Sequence, residues 1–211
     1  MNKKEIKSFS PPNLGWLEYK LNSKEMDYVW RCIDNKKNNC NSMLVGNITS
    51  SHTLMDRGDW FYINVISPLM ETYADEFENL GKKVATSVYH PYHMNNWWVN
   101  YQKQTEFNPN HDHNGIYSFV IWMKIPFNYE EQVKKNIPRR SDSGQVSCFE
   151  FNYSNLMGDC KTFSYQLSSK DDGRMIFFPS KLNHQVYPFY DCDEDRISVS
   201  GNIMLDTSKR R

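Results

Sequence analysis

The hydrophobic period of this chain changes after Gly81, and that change limits what the chain can fold into. Before Gly81 the apolar residues recur at helical spacing. The segment 24–35 follows Ser23, a candidate N-cap, and places Met26, Val29, Trp30 and Ile33 at helical intervals. The segment 60–82 carries one stripe, Phe61, Val65, Leu69, Tyr73, Phe77 and Leu80, and closes at Gly81. Beyond it the apolar residues alternate or run continuously in short stretches separated by Pro, Gly, Asn and Asp. Segments 84–90, 97–103, 116–125, 146–153, 162–167, 174–178, 184–188 and 196–205 read as strands.

Two helices followed by short strands predict a mainly β protein with N-terminal helices (α+β): a double-stranded β-helix, or jelly roll, buttressed by those helices. A ferredoxin-like sheet would need helices interleaved among the strands, and the pattern holds none. A length of 211 residues suits a single domain spanning 1–211, with 1–83 as the helical buttress and 84–206 as the core. The charged segment 128–145 is expected to be a solvated loop or a lid over a pocket.

Composition excludes some function classes. Lysine plus arginine equals aspartate plus glutamate at 25 each, so no global basic field draws the chain to nucleic acid or anionic lipid. The five cysteines show no Cys-x-x-Cys spacing, and reduced thiols in a cytoplasmic protein are expected. No apolar run approaches a signal peptide or a membrane span. The glycosylation triplets at Asn47 and Asn152 are expected by chance.

Three of the six histidines carry a chemical suggestion. His111 and His113 are two apart at the expected start of a strand, so their side chains leave one face while Asp112 leaves the other. His184 opens a later strand after the buried pattern Arg174–Pro179, and a jelly roll could bring that strand beside the first pair. Alternation turns Arg196, Ser198 and Ser200 to a common face. An arginine pointing inward needs an anionic partner, since an unpaired buried guanidinium is costly.

The stretches 98–103, Asn108-Pro109-Asn110-His111-Asp112-His113, 118–126 and 177–180, continued through His184 to Arg196-Ile197-Ser198, resemble the Fe(II)/2-oxoglutarate-dependent oxygenase superfamily. The similarity is to its prolyl-hydroxylase-like branch of small bacterial and phage proteins, and it covers roughly residues 95–205. The resemblance implies Fe(II) held by His111, His113 and His184. It implies 2-oxoglutarate paired through its distal carboxylate with Arg196, with a hydrogen bond from Ser198 and a further contact from Tyr101. The implied activity is hydroxylation of a peptide, protein or small molecule, with dioxygen consumed and succinate formed, in the cytoplasm or, for a phage protein, the host cytoplasm.

The superfamily usually presents two histidines and one carboxylate. Here His113 stands where the carboxylate is expected, unless a strand bulge turns Asp112 inward. A cupin-type dioxygenase with three histidines and no 2-oxo acid accommodates His113, and a non-catalytic jelly-roll binding module would leave the histidines merely packed. His90 and His93 are expected in a turn and His52 in a solvent-facing loop. Of the adjacent Trp97 and Trp98, one is expected in the core and the other on a surface or pocket wall; Trp122, Phe177 and Phe178 are expected in the core.

Overall fold

The computed structural model describes residues 12–209. Helix α1 (Ser23–Asp34) is capped by Asn22, one residue before the expected Ser23. The Asn22 side chain accepts from the Glu25 amide, and the Glu25 carboxylate accepts from the Asn22 amide, a reciprocal capping box. Val29, Cys32 and Ile33 form its buried face.

The second helix expected over 60–82 is present from 60 to 76 and ends early, at Phe77, whose dihedrals are no longer helical. Pro68 has no N–H to donate, and just before it the helix widens into a π-helical turn, Tyr62–Ile66, in which the Ser67 amide reaches the Tyr62 carbonyl. The regular α-helical part is α2 (Ser67–Glu76), and a separate 3₁₀ turn, Leu80–Lys83, follows it. The inner stripe runs through the π-turn: Phe61, Val65, Leu69 and Tyr73 are all buried.

Among the described residues ten strands form two antiparallel sheets. They are β1 (Leu17–Lys20), β2 (Ser50–Thr53), β3 (Tyr92–Gln102), β4 (Asn108–His111), β5 (Tyr117–Lys124), β6 (Phe149–Ser154), β7 (Cys160–Tyr165), β8 (Arg174–Pro179), β9 (Asn183–Val186) and β10 (Arg196–Leu205). The larger sheet has the order β1-β8-β5-β10-β3-β2, and the smaller β4-β9-β6-β7. From β3 onward the chain shuttles between the sheets, which is the double-stranded β-helix expected from the sequence.

Three layers result. One face of the larger sheet, through Phe119, Ile121, Phe177 and Val199, packs on Val29, Phe61, Val65 and Tyr73 of the helical segments. Its other face, through Val120, Trp122, Ile176 and Phe178, meets Phe149, Phe151 and Tyr165 of the smaller sheet. Strands β5 and β8 are covered on both sides, which is why their sequences run apolar without alternating. Trp97 stacks on Phe61 in the helical layer with ring centroids 5.3 Å apart.

One expected strand is absent among the described residues, and three others were not foreseen. Residues 84–90 form no strand, since Val84 and Val88 stay exposed with no sheet to bury them. Strands β1, β2 and β4 had no clear periodic signal, being four residues long and lying at sheet edges. The segment 128–145 is, as expected, a mostly exposed connection between two strands, β5 and β6. It contains the helical turn Tyr129–Gln132, and its buried Gln132 exchanges hydrogen bonds with the Tyr190 backbone at 2.9 Å each way. It contributes no lining to the cavity described next.

Candidate metal and co-substrate site

A cavity between the two sheets is lined at one end by His111, His113 and His184 and at the other by Arg196 and Ser198. His111 is the last residue of β4 and is the cross-strand partner of His184 in β9. His113 lies past the end of β4, in the connection to β5, rather than at the start of a strand. Its amide donates to the Ser180 carbonyl at 2.8 Å, which fixes the turn. The three imidazoles converge as the spacing predicted, each offering a ring nitrogen within 4.8 Å of the others.

The donor set suits a divalent metal. His111 Nδ1 lies 2.7 Å from the Pro109 carbonyl and His184 Nδ1 2.9 Å from the Leu182 carbonyl. A carbonyl only accepts, so both Nδ1 atoms carry the proton and both Nε2 atoms present lone pairs. Burial, reinforced by the neighbouring imidazoles, lowers the pKa of His113 to about 4 and of His184 to about 3. Burial likewise lowers that of His111. The rings are therefore neutral at physiological pH, the form that ligates a metal. His113 Nε2 and His184 Nε2 are 3.1 Å apart; ligands at right angles around an ion at about 2.1 Å would sit about 3 Å apart.

Asp112 is not part of this cluster. Its carboxylate turns to Lys181 Nζ at 3.5 Å, so no bulge carries it inward.

At the other end, strand register decides which residues face the cavity. Arg196 pairs across strands with Gln102, Ser198 with Asn100 and Ser200 with Trp98, and all six line the cavity. The intervening Ile197 and Tyr101 pair with each other and turn to the helical layer. Tyr101 is therefore corrected: it packs near Lys36 and His52, and does not line the cavity. Trp98 occupies the wall, its ring 6.1 Å from that of His113, as expected for one of the tryptophan pair.

Arg196 is 1% exposed. Its Nε and Nη2 donate to Gln102 Oε1 at 3.2 and 2.7 Å, Nη1 to the Ser147 carbonyl at 2.7 Å and Nη2 to the Tyr187 carbonyl at 3.1 Å. Phe127 and Phe189 flank the guanidinium at 5.7 and 5.5 Å. Burial pushes its pKa down to about 9, which leaves it charged at neutral pH.

Sequence reasoning missed Gln102, Asn100, Asn108 and the segment around Leu44, Val45 and Gly46, all of which line the cavity. The alternation Trp98, Asn100, Gln102 was a usable signal for two of them. A groove of about 300 Å³ adjoins the histidines from outside, between Met43–Val45 and Asn96, Asn114 and Asn202.

The family model described as "Putative 2OG-Fe(II) oxygenase" matches residues 96–202, just over half of the chain. The chain belongs to that family. Fe(II) and 2-oxoglutarate are accordingly its cofactors, and this oxygenase needs neither the alternative without a 2-oxo acid nor the non-catalytic one. No curated protein matches its sequence.

Solved structures similar to it include a Pseudomonas putida prolyl-4-hydroxylase, at 12% identity and a TM-score of 0.53, covering 91% of this chain and 93% of that one. Another is a prolyl hydroxylase in complex with a hypoxia inducible factor oxygen degradation domain peptide fragment from Trichoplax adhaerens. It has 12% identity and a TM-score of 0.51, with coverage of 90% and 83%. At such identities the likeness is one of fold. Among the described residues no helix is long and apolar enough to cross a membrane.

Proposed function

We propose that His111, His113 and His184 ligate the iron, that Arg196 with Ser198 binds the distal carboxylate of 2-oxoglutarate, and that the enzyme hydroxylates a substrate lying in the outer groove. The observation that carries this reading is the placement of three neutral, convergent imidazoles and one buried guanidinium on the same cavity. Three histidine ligands leave up to three positions on a six-coordinate ion, enough for a chelating 2-oxo acid and for dioxygen. When bound, the metal and co-substrate supply the oxidising chemistry, with decarboxylation of 2-oxoglutarate to succinate.

The chain's own residues bind and orient. His111 and His184 are held by their Nδ1 bonds to carbonyls, so their lone pairs point at one place without reorganisation. Trp98, Trp122, Phe149 and Phe178 wall the cavity with apolar surface and limit water at the reacting end. Arg196 offers a fixed cation at the closed end, which sets how a dicarboxylate lies between it and the metal. The outer groove meets the cavity at His111 and His113, so a substrate there would reach the metal from the solvent side. Peptide, protein and small-molecule substrates all suit such a groove, whose carboxamides can donate and accept.

Anaerobic titration of Fe(II) and then 2-oxoglutarate into the metal-free protein tests the site, read by the weak visible charge-transfer band of a chelated 2-oxo acid. The band is expected in wild type and absent in His184→Ala and Arg196→Ala. A band of full strength in both variants would dismiss the assignment.

A further inference from the structure

Resting on the assignment of Arg196 to the distal carboxylate, we infer that Gln102 is the residue that makes this enzyme demand a dicarboxylate. By being a neutral amide, Gln102 leaves Arg196 a buried cation whose acceptors among the described residues are all uncharged. The orientation of that amide is fixed from both ends. Gln102 Nε2 donates to the Glu106 carbonyl at 2.6 Å, so its Oε1 must be the atom that accepts from Nε and Nη2 of Arg196. The other two bonds of the guanidinium end on the carbonyls of Ser147 and Tyr187. Four of its five N–H groups are thus engaged, every acceptor is neutral, and one N–H on Nη1 remains. Two aromatic rings flank the group, and no ion pair to it occurs among the described residues.

Neutral acceptors hold a guanidinium in place without cancelling its charge. For a guanidinium 1% exposed and without an ion pair among the described residues, the remaining positive charge is compensated when an anion enters. Position 102 is where that outcome is decided. It is the cross-strand partner of position 196, it is 3% exposed, and it meets the Nε–Nη2 edge, which a carboxylate would take bidentately. A glutamate there would be nearly the same shape and would form the ion pair inside the protein. The cavity would then have no net charge at its closed end, and a dicarboxylate would gain nothing over a 2-oxo acid with an apolar tail. Gln102 is therefore a positioning and specificity residue that acts through Arg196.

The test compares two ligands on the Fe(II)-loaded protein without oxygen: 2-oxoglutarate, and 2-oxopentanoate, which has the same chain length with a methyl in place of the distal carboxylate. Affinities are read from the charge-transfer band in wild type, Gln102→Glu, Gln102→Met and Arg196→Ala. Wild type is expected to prefer the dicarboxylate by about 100-fold, and Gln102→Glu to lose that preference through weaker 2-oxoglutarate binding alone. Its unchanged 2-oxopentanoate binding would report an intact fold and metal site. Gln102→Met removes the acceptor but adds no charge, so it is expected to weaken 2-oxoglutarate binding by about 10-fold while keeping a clear preference for it. A Gln102→Glu protein that keeps the wild-type preference, while Arg196→Ala loses it, would overturn the inference and leave the assignment of Arg196 standing. If Gln102→Glu does not fold, Gln102→Met decides: loss of preference there overturns the inference, since the charge is unaltered. Retention of the preference in Arg196→Ala would remove the assignment of Arg196 and the inference with it.

Discussion

The two ends of the cavity meet their ligands by opposite means. At the histidine end the protein supplies lone pairs and withholds charge: three imidazoles are kept neutral by burial, and two are aimed by Nδ1 bonds to carbonyls. At the arginine end it supplies charge and withholds a counter-ion, since the guanidinium is hydrogen-bonded almost fully, yet only to neutral oxygens. On the proposed assignment the first end takes a cation and the second an anion. A buried charge needs more support than a buried neutral ring, and the architecture follows that need. His111 and His113 come from a short edge strand and a turn, whereas Arg196 and Gln102 come from paired long strands within the larger sheet. The difference teaches that the arginine end is built into paired long strands, whereas the histidine end joins one buried residue of an interior strand, His184, to two side chains from an edge strand and a turn.

The contrast breaks most sharply if one imidazole is removed. His184→Ala takes away the most buried of the three ligands, and Fe(II) affinity is expected to fall by more than ~100-fold, well beyond the usual cost of losing a group that merely supports a ligand. The fold should survive, because a neutral ring leaves no charge behind. Isothermal titration with Fe(II) under nitrogen measures the first effect and thermal melting the second. Unchanged metal affinity would separate the triad from the metal.

Arg196→Lys probes the other end. It keeps the positive charge but cannot serve the Gln102, Ser147 and Tyr187 oxygens from one rigid plane. Those oxygens would be left short of donors in a dry site, so stability is expected to fall by about 2–3 kcal/mol and 2-oxoglutarate affinity by about 30-fold. Metal binding should stay within about twofold, since the histidines do not depend on that plane. Denaturant melts and the anaerobic titration read the two effects, and equal losses of metal and co-substrate would mean the ends are not separate.

What was legible in the sequence divides along the same line. The convergence of His111, His113 and His184 and the inward turn of Arg196 could be read because such clusters and buried charges require particular residue types, and alternation gave Arg196 and Ser198 their common face. Tyr101 was misassigned although it lies one residue from Gln102. The choice between the two depends on which face of β3 meets the cavity, and register with β10 settles that only in three dimensions. Gln102 itself has no motif, being an uncharged residue whose importance lies in the charge it lacks. Leu44, Val45 and Gly46 reach the cavity from the half of the chain that reads as a helical buttress, held there by the bridge between Asn47 and Phe107. The π-turn in the second helix lies just before Pro68, and the apolar stripe that marked the helix in the sequence runs through it unaltered.

The pH dependence of the metal-free protein follows from the neutral histidines. Their folded pKa values lie below the ordinary value near 6.5, so the folded state binds fewer protons than the unfolded state between the two. The stabilisation is fully present above pH about 6.5 and is lost progressively as pH falls toward about 4 for His113 and about 3 for His184. By pH 5 the loss is on the order of 2 kcal/mol for each of His113 and His184 taken singly. A metal held by these rings would keep them deprotonated, and is expected to make the melting temperature less sensitive between pH 7 and 5. Melts with chelator and with Fe(II) test this, and identical slopes would deny that the histidines share the cation.

The smallest expected effect is the most informative about the metal end. Asp112 lies between two proposed ligands, so a carboxylate-bearing iron site would have to recruit it. In the structure it is turned to Lys181, with the two side chains 43% and 65% exposed, an ion pair worth no more than about 1 kcal/mol. Asp112→Asn keeps the shape and removes the charge. If three neutral imidazoles alone hold the iron, Fe(II) affinity should change by less than about twofold, the residual effect being that of a screened nearby charge. A fall of ~100-fold would mean that the metal pulls Asp112 inward on binding, which would convert the neutral end of the cavity into a charged one. The contrast between the ends would then belong only to the metal-free protein, and the charge balance set by Gln102 would have to be reckoned against an anionic ligand beside the iron.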